Sequence, residues 1–292
     1  MRNILALLPL IFGLLVLSAC QSTTNTPTDE TDSTSPTDSV ASTHESMATD
    51  TTLDSLFANR GIKGVVILGL SPGVYTSNNW DRAEKRLCPA STYKIFNSLV
   101  GLESKAVEDV NEIIKWDRVE RSYHQWNKDH NLRSAIKYSC VWFYQEIARR
   151  VGRETMQMYL DSLPYGNGTI GEKVDEFWLD GSLQISAMEQ IKFLERLVNY
   201  DVPFNKRTVD LVKDIMIVEK GDTFSVHAKT GWSIRLDEQI GWYVGYVKKA
   251  DKVYPFAVNI DMKGQEDTRY RKEIAYRALE LYDILYLNQA EE

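Results

Sequence analysis

The stretch Pro89-Ala90-Ser91-Thr92-Tyr93-Lys94 and the apolar residues after it predict a helix that begins near Ser91 and runs to about Glu103. Ser91 and Lys94 are three residues apart, so their side chains lie on one face of this helix. A serine hydroxyl becomes a strong nucleophile when a base removes its proton, and a lysine is such a base only when uncharged. The stretch therefore predicts a nucleophilic serine with its own base. The alternative is a helix-capping serine beside a solvated lysine.

The composition of the chain excludes several classes of function. The chain has 292 residues, of which 43% are hydrophobic, so it can bury a full-sized core. Its formal net charge of −7 leaves no surplus of basic residues to neutralise phosphates, which argues against nucleic-acid binding. Its four histidines, at positions 44, 124, 130 and 227, lack the spacing of metal ligands, so we expect no metal site.

The N-terminus has the pattern of a targeting segment. Arg2 precedes an apolar run over residues 4–17, which is typical of a secretory signal peptide and short for a membrane span. The run ends in Leu17-Ser18-Ala19-Cys20, which resembles the lipobox of bacterial lipoproteins. This resemblance implies that residues 1–19 are removed and that the Cys20 thiol receives a lipid. The alternative is an ordinary secretory signal with an incidental cysteine.

Residues 20–50 are predicted to form a lipidated cysteine followed by a disordered tether. The segment is rich in Ser and Thr and poor in large apolar residues, so it cannot bury enough surface to fold. The remaining residues, 51–292, form the predicted catalytic domain. An anchor and a tether place this domain in the periplasm or another extracytoplasmic space, attached to a membrane by its lipid only. Gln21 favours the outer membrane, by analogy with lipoprotein sorting in enterobacteria.

Two cysteines remain in the predicted domain, Cys88 and Cys140. They could pair in an oxidising compartment. Two buried, unpaired thiols are the favoured alternative, because the sequence shows no short separation between the two Cα atoms.

The hydrophobic pattern predicts strands at both ends of the domain and helices between them. Strand patterns cover residues 65–70, 74–76, 224–229, 239–248 and 252–261, and helical patterns prevail over 107–200 and 268–287. The predicted fold class is α/β of the α+β type. An antiparallel sheet from both ends of the domain is flanked by helices and carries an inserted helical subdomain. We expect a site in the cleft where the sheet meets the helices.

Two further patterns carry chemistry. Lys229-Thr230-Gly231 ends a predicted strand, where Lys229 offers a cation and Thr230 a hydroxyl to an anionic substrate group. Gly231 lets the backbone approach closely, so that the N–H of Trp232 can point at a reacting carbonyl. In Ser139-Cys140-Val141, at the start of a predicted helix, Ser139 could relay a proton.

The order Ser-x-x-Lys, Ser-x-Val, Lys-Thr-Gly is typical of penicillin-recognising serine enzymes, the β-lactamase and transpeptidase group. Over residues 52–290 the chain resembles the class D β-lactamases, or oxacillinases. The resemblance also rests on three segments: Tyr165-Gly166-Asn167, Phe177-Trp178-Leu179-Asp180-Gly181-Ser182-Leu183-Gln184-Ile185-Ser186 and Gly241-Trp242-Tyr243-Val244-Gly245.

The resemblance implies that Ser91 is the acylated nucleophile. Lys94 would react with CO2 to give an N6-carboxylated lysine, the base for acylation and deacylation, and no other cofactor is expected. An ordinary lysine has a pKa of about 10.4, but apolar surroundings remove its charge and let it add CO2. Val141, Trp178 and Leu179 correspond to these surroundings. The indole N–H of Trp178 would donate to the carbamate.

The resemblance assigns roles to further residues. Ser139 would shuttle a proton, and Lys229 would hold the electrostatics of the site together. The N–H groups of Ser91 and Trp232 would form an oxyanion hole. Arg271 would bind the substrate carboxylate, with Arg269 as the competing candidate.

The predicted function is hydrolysis of the β-lactam ring of penicillin-type antibiotics through an acyl-enzyme, which gives antibiotic resistance. Tyr165 is assigned to the substrate-binding cleft as part of its architecture and without a chemical role. The alternative function is a β-lactam sensor that is acylated but does not deacylate. One removable signal segment and no output domain favour the enzyme. The sequence does not decide the range of substrates. It also does not distinguish a monomer from a homodimer.

Overall fold

The computed structural model describes residues 45–286, so the predicted signal peptide and the lipidation of Cys20 lie outside the described residues. A seven-stranded sheet with the order β1-β3-β2-β7-β6-β5-β4 forms the centre of this range. No helix within it is long and apolar enough to cross a membrane. The strands are β1 (Ser46–Thr49), β2 (Gly64–Ser71), β3 (Val74–Ser77), β4 (Ile217–Lys220), β5 (Phe224–Trp232), β6 (Ile240–Lys249) and β7 (Lys252–Asp261).

Most helices lie between the two groups of strands in the sequence, as predicted. The α-helices are α1 (Ser55–Ala58), α2 (Trp80–Glu84), α3 (Lys94–Glu103), α4 (Leu132–Lys137), α5 (Val141–Val151), α6 (Arg153–Asp161), α7 (Ala187–Val198), α8 (Lys206–Ile215) and α9 (Thr268–Leu281). Short 3-10 helices occur at Thr51–Asp54, Ala90–Tyr93, His124–Trp126 and Gln265–Asp267. The inserted helical subdomain and the antiparallel sheet from both ends of the domain are therefore confirmed.

The fold begins earlier than the sequence predicts. The sequence pattern places residues 46–49 in the tether, but they form β1, which runs parallel to β3. The N–H of Ser46 donates to Gly73 O over 2.8 Å, and that of Asp50 donates to Ser77 O over 2.9 Å. All four residues of β1 are exposed, so main-chain pairing and not an apolar pattern holds the strand. The predicted domain boundary at residue 51 is therefore too late.

The sheet is covered on both faces. On β6, Trp242 and Val244 pack into the core under the helical subdomain, whereas Tyr243 and Val247 pack into the core under α1 and α9. Alternate residues of a strand point to opposite faces, so β6 reads as a continuous apolar run because both faces are buried. Each large side chain buried in this way contributes roughly 1.5–3 kcal/mol. The two cores fix the sheet against the helices that carry the site.

The open edge of β5 positions the site. β5 pairs with β6 over its whole length, from Phe224 opposite Lys249 to Trp232 opposite Gly241. On its other side, β4 pairs only with the first part of β5 and reaches no further than His227. The last residues of β5 therefore have no strand beside them, and the helical subdomain faces this edge.

Candidate active site

Ser91 lies in a tight turn that leads into α3. The turn is a 3-10 helix over Ala90–Tyr93, and the α-helix begins at Lys94. Ala90 has a φ of 47°, a left-handed conformation that costs an L-residue about 1–3 kcal/mol and persists only where the surroundings enforce it. The Thr92 hydroxyl enforces it here, since it donates to Pro89 O over 2.8 Å and accepts from the Gln190 amide over 2.8 Å.

Ser91 and Lys94 meet as the sequence predicts. Lys94 Nζ lies 2.7 Å from Ser91 Oγ. The lysine side chain is fully buried, whereas Ser91 is half-buried and faces the cleft. Burial lowers the pKa of Lys94 to about 7, because the charged ammonium loses its hydration. At neutral pH a large fraction of Lys94 is therefore uncharged and able to accept a proton from Ser91.

Trp178 lies beside the same turn with its hydrogen-bonding capacity unused. Its ring stacks on Tyr93, the residue before Lys94, with 5.3 Å between the ring centroids. Its Nε1–H is buried and has no partner among the described residues. A buried donor without an acceptor costs about 1–3 kcal/mol. An anionic group on Lys94 would supply an acceptor in this region, so the residues present fit a carbamate.

Val141 and Leu179, two of the residues predicted to surround Lys94, are at least partly buried. Leu179 is buried, and Val141 begins α5 in a half-buried position next to Cys140. Cys88 and Cys140 are both buried and free, which confirms the favoured alternative of two unpaired thiols. Burial raises the pKa of each thiol to about 11, so both remain neutral at physiological pH.

Ser139 and Lys229 come together from opposite walls of the cleft. Lys229 Nζ donates to Ser139 Oγ over 3.0 Å and to Thr230 O over 2.9 Å. Ser139 has a φ of 54°, which places its side chain at the junction between α4 and α5. Burial, followed by the nearby charge of Lys94 and that of Arg271, holds the pKa of Lys229 well below its usual value. The Ser-x-Val motif and the Lys-Thr-Gly motif are thus joined by a hydrogen bond.

Gly231 lets β5 approach the 3-10 turn over Ala90–Tyr93, which carries Ser91 and is called the nucleophile turn below. A Cβ atom at this position would lie 2.8 Å from Pro89 O and 3.1 Å from Thr92 Cγ2. The N–H of Ala228 donates to Met216 O, on the side of β5 away from β6. N–H groups of alternate strand residues point to the same side. The N–H of Trp232 therefore points to the open edge of β5, next to the turn that carries Ser91.

The structure distinguishes the two candidate arginines. Arg271 is partly buried, and its Nη1 donates to Gly231 O over 2.7 Å. Burial lowers the pKa of Arg271 to about 10. Arg269 is exposed, and its guanidinium lies over the ring of the neighbouring Tyr270. Arg271 is thus the arginine at the Lys-Thr-Gly strand, next to Thr230.

Tyr165 does not line the cleft. Its side chain is 1% exposed and packs against Tyr93, Phe96 and Phe193. The assignment of Tyr165 to substrate binding is therefore wrong, because its ring is enclosed in the aromatic core under the nucleophile turn.

Sequence reasoning missed residues that hold the site without belonging to a motif. Gln190, on α7, supports the Ser91 turn through Thr92, and the indole N–H of Trp242 donates to Cys88 O over 2.9 Å. The Ser98 hydroxyl lies within hydrogen-bond distance of Lys94 O and of the Tyr144 hydroxyl. Except for the contact of Ser98 with Lys94 O within α3, these contacts join residues far apart in the sequence. Their one sequence signal is a polar residue within a buried apolar pattern.

Comparison with known proteins agrees with this arrangement. Residues 59–280 match the family described as penicillin binding protein transpeptidase domain. The probable β-lactamase YbxI of Bacillus subtilis is 41% identical over 207 residues, which cover 71% of this chain and 76% of the relative. The β-lactamase OXA-48 of Klebsiella pneumoniae is 42% identical over 209 residues, which cover 72% of this chain and 79% of the relative.

Solved structures give the same result. The class D β-lactamase FUS-1 (OXA-85) from Fusobacterium nucleatum aligns with a TM-score of 0.79 and 39% identity, covering 82% of this chain and 100% of that chain. A class D β-lactamase from Nostoc aligns with a TM-score of 0.78 and 41% identity, covering 80% of this chain and 99% of that chain. This chain belongs to the class D β-lactamases.

Proposed function

We propose that the chain hydrolyses the β-lactam ring of penicillin-type antibiotics through an acyl-enzyme on Ser91, and that it thereby gives antibiotic resistance. One observation carries the proposal. Lys94 Nζ lies 2.7 Å from Ser91 Oγ, and burial lowers the pKa of this lysine to about 7. A serine paired with a base that is uncharged at neutral pH is an activated nucleophile.

In acylation, the Ser91 hydroxyl gives its proton to the base as Oγ attacks the carbonyl carbon of the lactam. The N–H groups of Ser91 and Trp232 donate to the oxyanion that develops on the carbonyl oxygen. The carbon–nitrogen bond then breaks, and the ring nitrogen takes a proton. Ser139 relays this proton from the protonated base to the nitrogen, so the base is free again for deacylation, and Lys229 Nζ donates to the Ser139 hydroxyl over 3.0 Å. The substrate carboxylate binds to the Thr230 hydroxyl and the Arg271 guanidinium.

We further propose that Lys94 carries a reversible CO2 adduct. The uncharged amine forms a bond to the carbon of CO2 and loses one proton, which gives a carbamate. Burial of the lysine and the unpartnered indole donor of Trp178 both favour this modification. The carbamate would supply an oxygen base for both steps. In deacylation, water loses a proton to the base and attacks the ester, and Ser91 Oγ leaves with a proton.

The location of the chain is also a proposal. We propose that the chain is an extracytoplasmic lipoprotein, periplasmic where two membranes are present, held by a lipid on Cys20 at the outer membrane. The support is the apolar run over residues 4–17 and the sequence Leu17-Ser18-Ala19-Cys20. Labelling of cells with a radioactive fatty acid should mark the wild type. It should leave Cys20→Ser unlabelled, and label on that variant would contradict the proposal.

Turnover of a chromogenic cephalosporin tests the function. The purified full chain is assayed with and without added bicarbonate, and Ser91→Ala serves as the inactive control. We expect sustained hydrolysis that increases with bicarbonate. A single stoichiometric burst with a stable adduct on Ser91 would instead show the alternative function, a β-lactam sensor.

A further inference from the structure

A second cavity opens beside the catalytic cleft at the unpaired edge of β5. We name it the β5-edge cavity, and its volume is about 520 Å³. Lys229 and Thr230 line it, so it adjoins Thr230, the residue that is proposed to receive the substrate carboxylate. Its other walls come from α4, the end of α8, the start of β4, one residue of β6 and the N-terminal part of α9. None of the three catalytic motifs explains these walls.

The β5-edge cavity has a surplus of positive charge. Arg133 and Asp214 line it as an ion pair, with 2.5 Å between Nη1 and Oδ2, so their charges offset each other. Lys137 and Lys272 also line it, are exposed and form no ion pair within residues 45–286. Two lysines without a carboxylate partner at one opening attract anions.

The remaining lining of this cavity is apolar. The Tyr243 side chain is buried against it, with 1% of its surface exposed. Ile136, Ile215 and Ala228 add an apolar wall.

We propose that the β5-edge cavity is a subsite for an anionic group attached to C3 of a cephalosporin substrate. The proposal rests on the proposed function. Thr230 and Arg271 receive the carboxylate at C4 of the cephalosporin ring, and C3 is the adjacent ring carbon. A substituent on C3 therefore leaves the ring next to Thr230, which lines both spaces. Lys137 and Lys272 attract its charge.

Two matched cephalosporins test the subsite on the full chain. Both carry the same thienylacetylamino side chain, and their C3 thioether ends either in a carboxylate or in the corresponding primary amide. We expect kcat/KM of the wild type to be roughly three- to tenfold higher for the carboxylate compound. Lys137→Gln and Lys272→Gln should each reduce this ratio towards one. Lys252→Gln makes the same charge change at an exposed lysine on β7 and should leave the ratio unchanged.

Three outcomes would overturn the subsite. The first is a ratio near one for the wild type, and the second is an equal loss of the ratio in Lys252→Gln, which would indicate general electrostatic steering. The third is equal inhibition of both compounds by sodium acetate that Lys137→Gln relieves, since the cavity would then take free anions. If neither compound is hydrolysed, the proposed function fails. In that case equilibrium dialysis measures the affinities of both compounds for Ser91→Ala. The ratio of the affinity for the carboxylate compound to that for the amide compound then tests the subsite.

Discussion

Lys94 and Trp178 are buried side chains whose polar groups have complementary requirements. Lys94 is fully buried and has a pKa of about 7, and the Trp178 indole donor has no acceptor. Either feature alone lowers stability, because a buried amine loses hydration and an unpaired donor loses a hydrogen bond. A carbamate on Lys94 would use the neutral amine and satisfy the indole together. The cost of both features in the unmodified chain therefore favours the CO2 adduct.

Trp178→Phe keeps an aromatic ring on Tyr93 but removes the indole donor. A hydrogen bond to a charged group contributes about 1.5–3 kcal/mol, so the bicarbonate concentration for half-maximal deacylation should rise about tenfold or more. Acylation should slow less than deacylation. Burst kinetics at several bicarbonate concentrations measure both steps. Trp80→Phe is the matched control, since Trp80 Nε1 is also buried and unpartnered. Equal losses in both steps for Trp178→Phe would contradict its role.

The pH dependence of stability tests the buried amine directly. Burial lowers the pKa of Lys94 from 10.5 to about 7, so between these values the folded chain binds fewer protons than the unfolded chain. The free energy of unfolding therefore rises with pH in this window. Relative to Lys94→Met, the wild type should gain about 1.4 kcal/mol per pH unit from about pH 7 to about pH 9. Urea unfolding in CO2-free buffer measures this difference. Parallel pH profiles of the two proteins would show an unperturbed lysine.

At the level of elements, the close approach of β5 to the nucleophile turn sets the geometry of the reaction. Gly231 permits this approach, since an added Cβ would lie 2.8 Å from Pro89 O. Both contacting groups belong to rigid parts, a strand paired with β6 and a turn held by Thr92. Neither can move without breaking main-chain hydrogen bonds.

Gly231→Ala should therefore displace β5 from Ser91. A misplacement of about 1 Å can cost about 100-fold in rate, so we expect acylation to slow by about that factor. Stopped-flow acylation by a chromogenic cephalosporin gives the rate, and circular dichroism checks that the variant is folded. Unchanged acylation by a folded variant would show that the oxyanion donor of Trp232 does not depend on this contact.

The elements that the sequence predicts are those with a hydrophobic pattern. β2, β6 and β7 are predictable because their sequences are apolar, as buried strands require. α3 follows the predicted stretch to Glu103. β1 has no such pattern, since all its residues are exposed and only main-chain pairing defines it. The 3-10 turn before Lys94 also escapes prediction, because the left-handed Ala90 depends on contacts from Thr92 and Gln190. A hydrophobic pattern in the sequence shows which residues are buried. It shows neither the main-chain pairing of a strand nor a strained backbone conformation.

At the level of the whole molecule, the site is assembled from distant parts of the sequence. Ser91 comes from the turn before α3, Ser139 from the α4–α5 junction and Lys229 from β5. The motifs identify these residues because their spacing reflects local geometry. Tyr165 shows the limit of that approach, since a residue within a recognisable segment is buried away from the cleft. The β5-edge cavity is likewise invisible in the sequence, because its lining comes from six separate elements.

The C-terminal helix completes the site, and two of its arginines form a matched pair for testing this. Arg271 donates to Gly231 O, whereas Arg269 is exposed and contacts Tyr270. Arg271 is the residue proposed to bind the substrate carboxylate, and loss of that contact should cost about 1.5–3 kcal/mol. Arg271→Ala should therefore reduce kcat/KM for benzylpenicillin roughly 10- to 150-fold, chiefly through a higher KM. Arg269→Ala should remain within about twofold of the wild type. Steady-state kinetics of both variants decide the assignment, and a larger loss in Arg269→Ala would transfer the carboxylate contact to that residue.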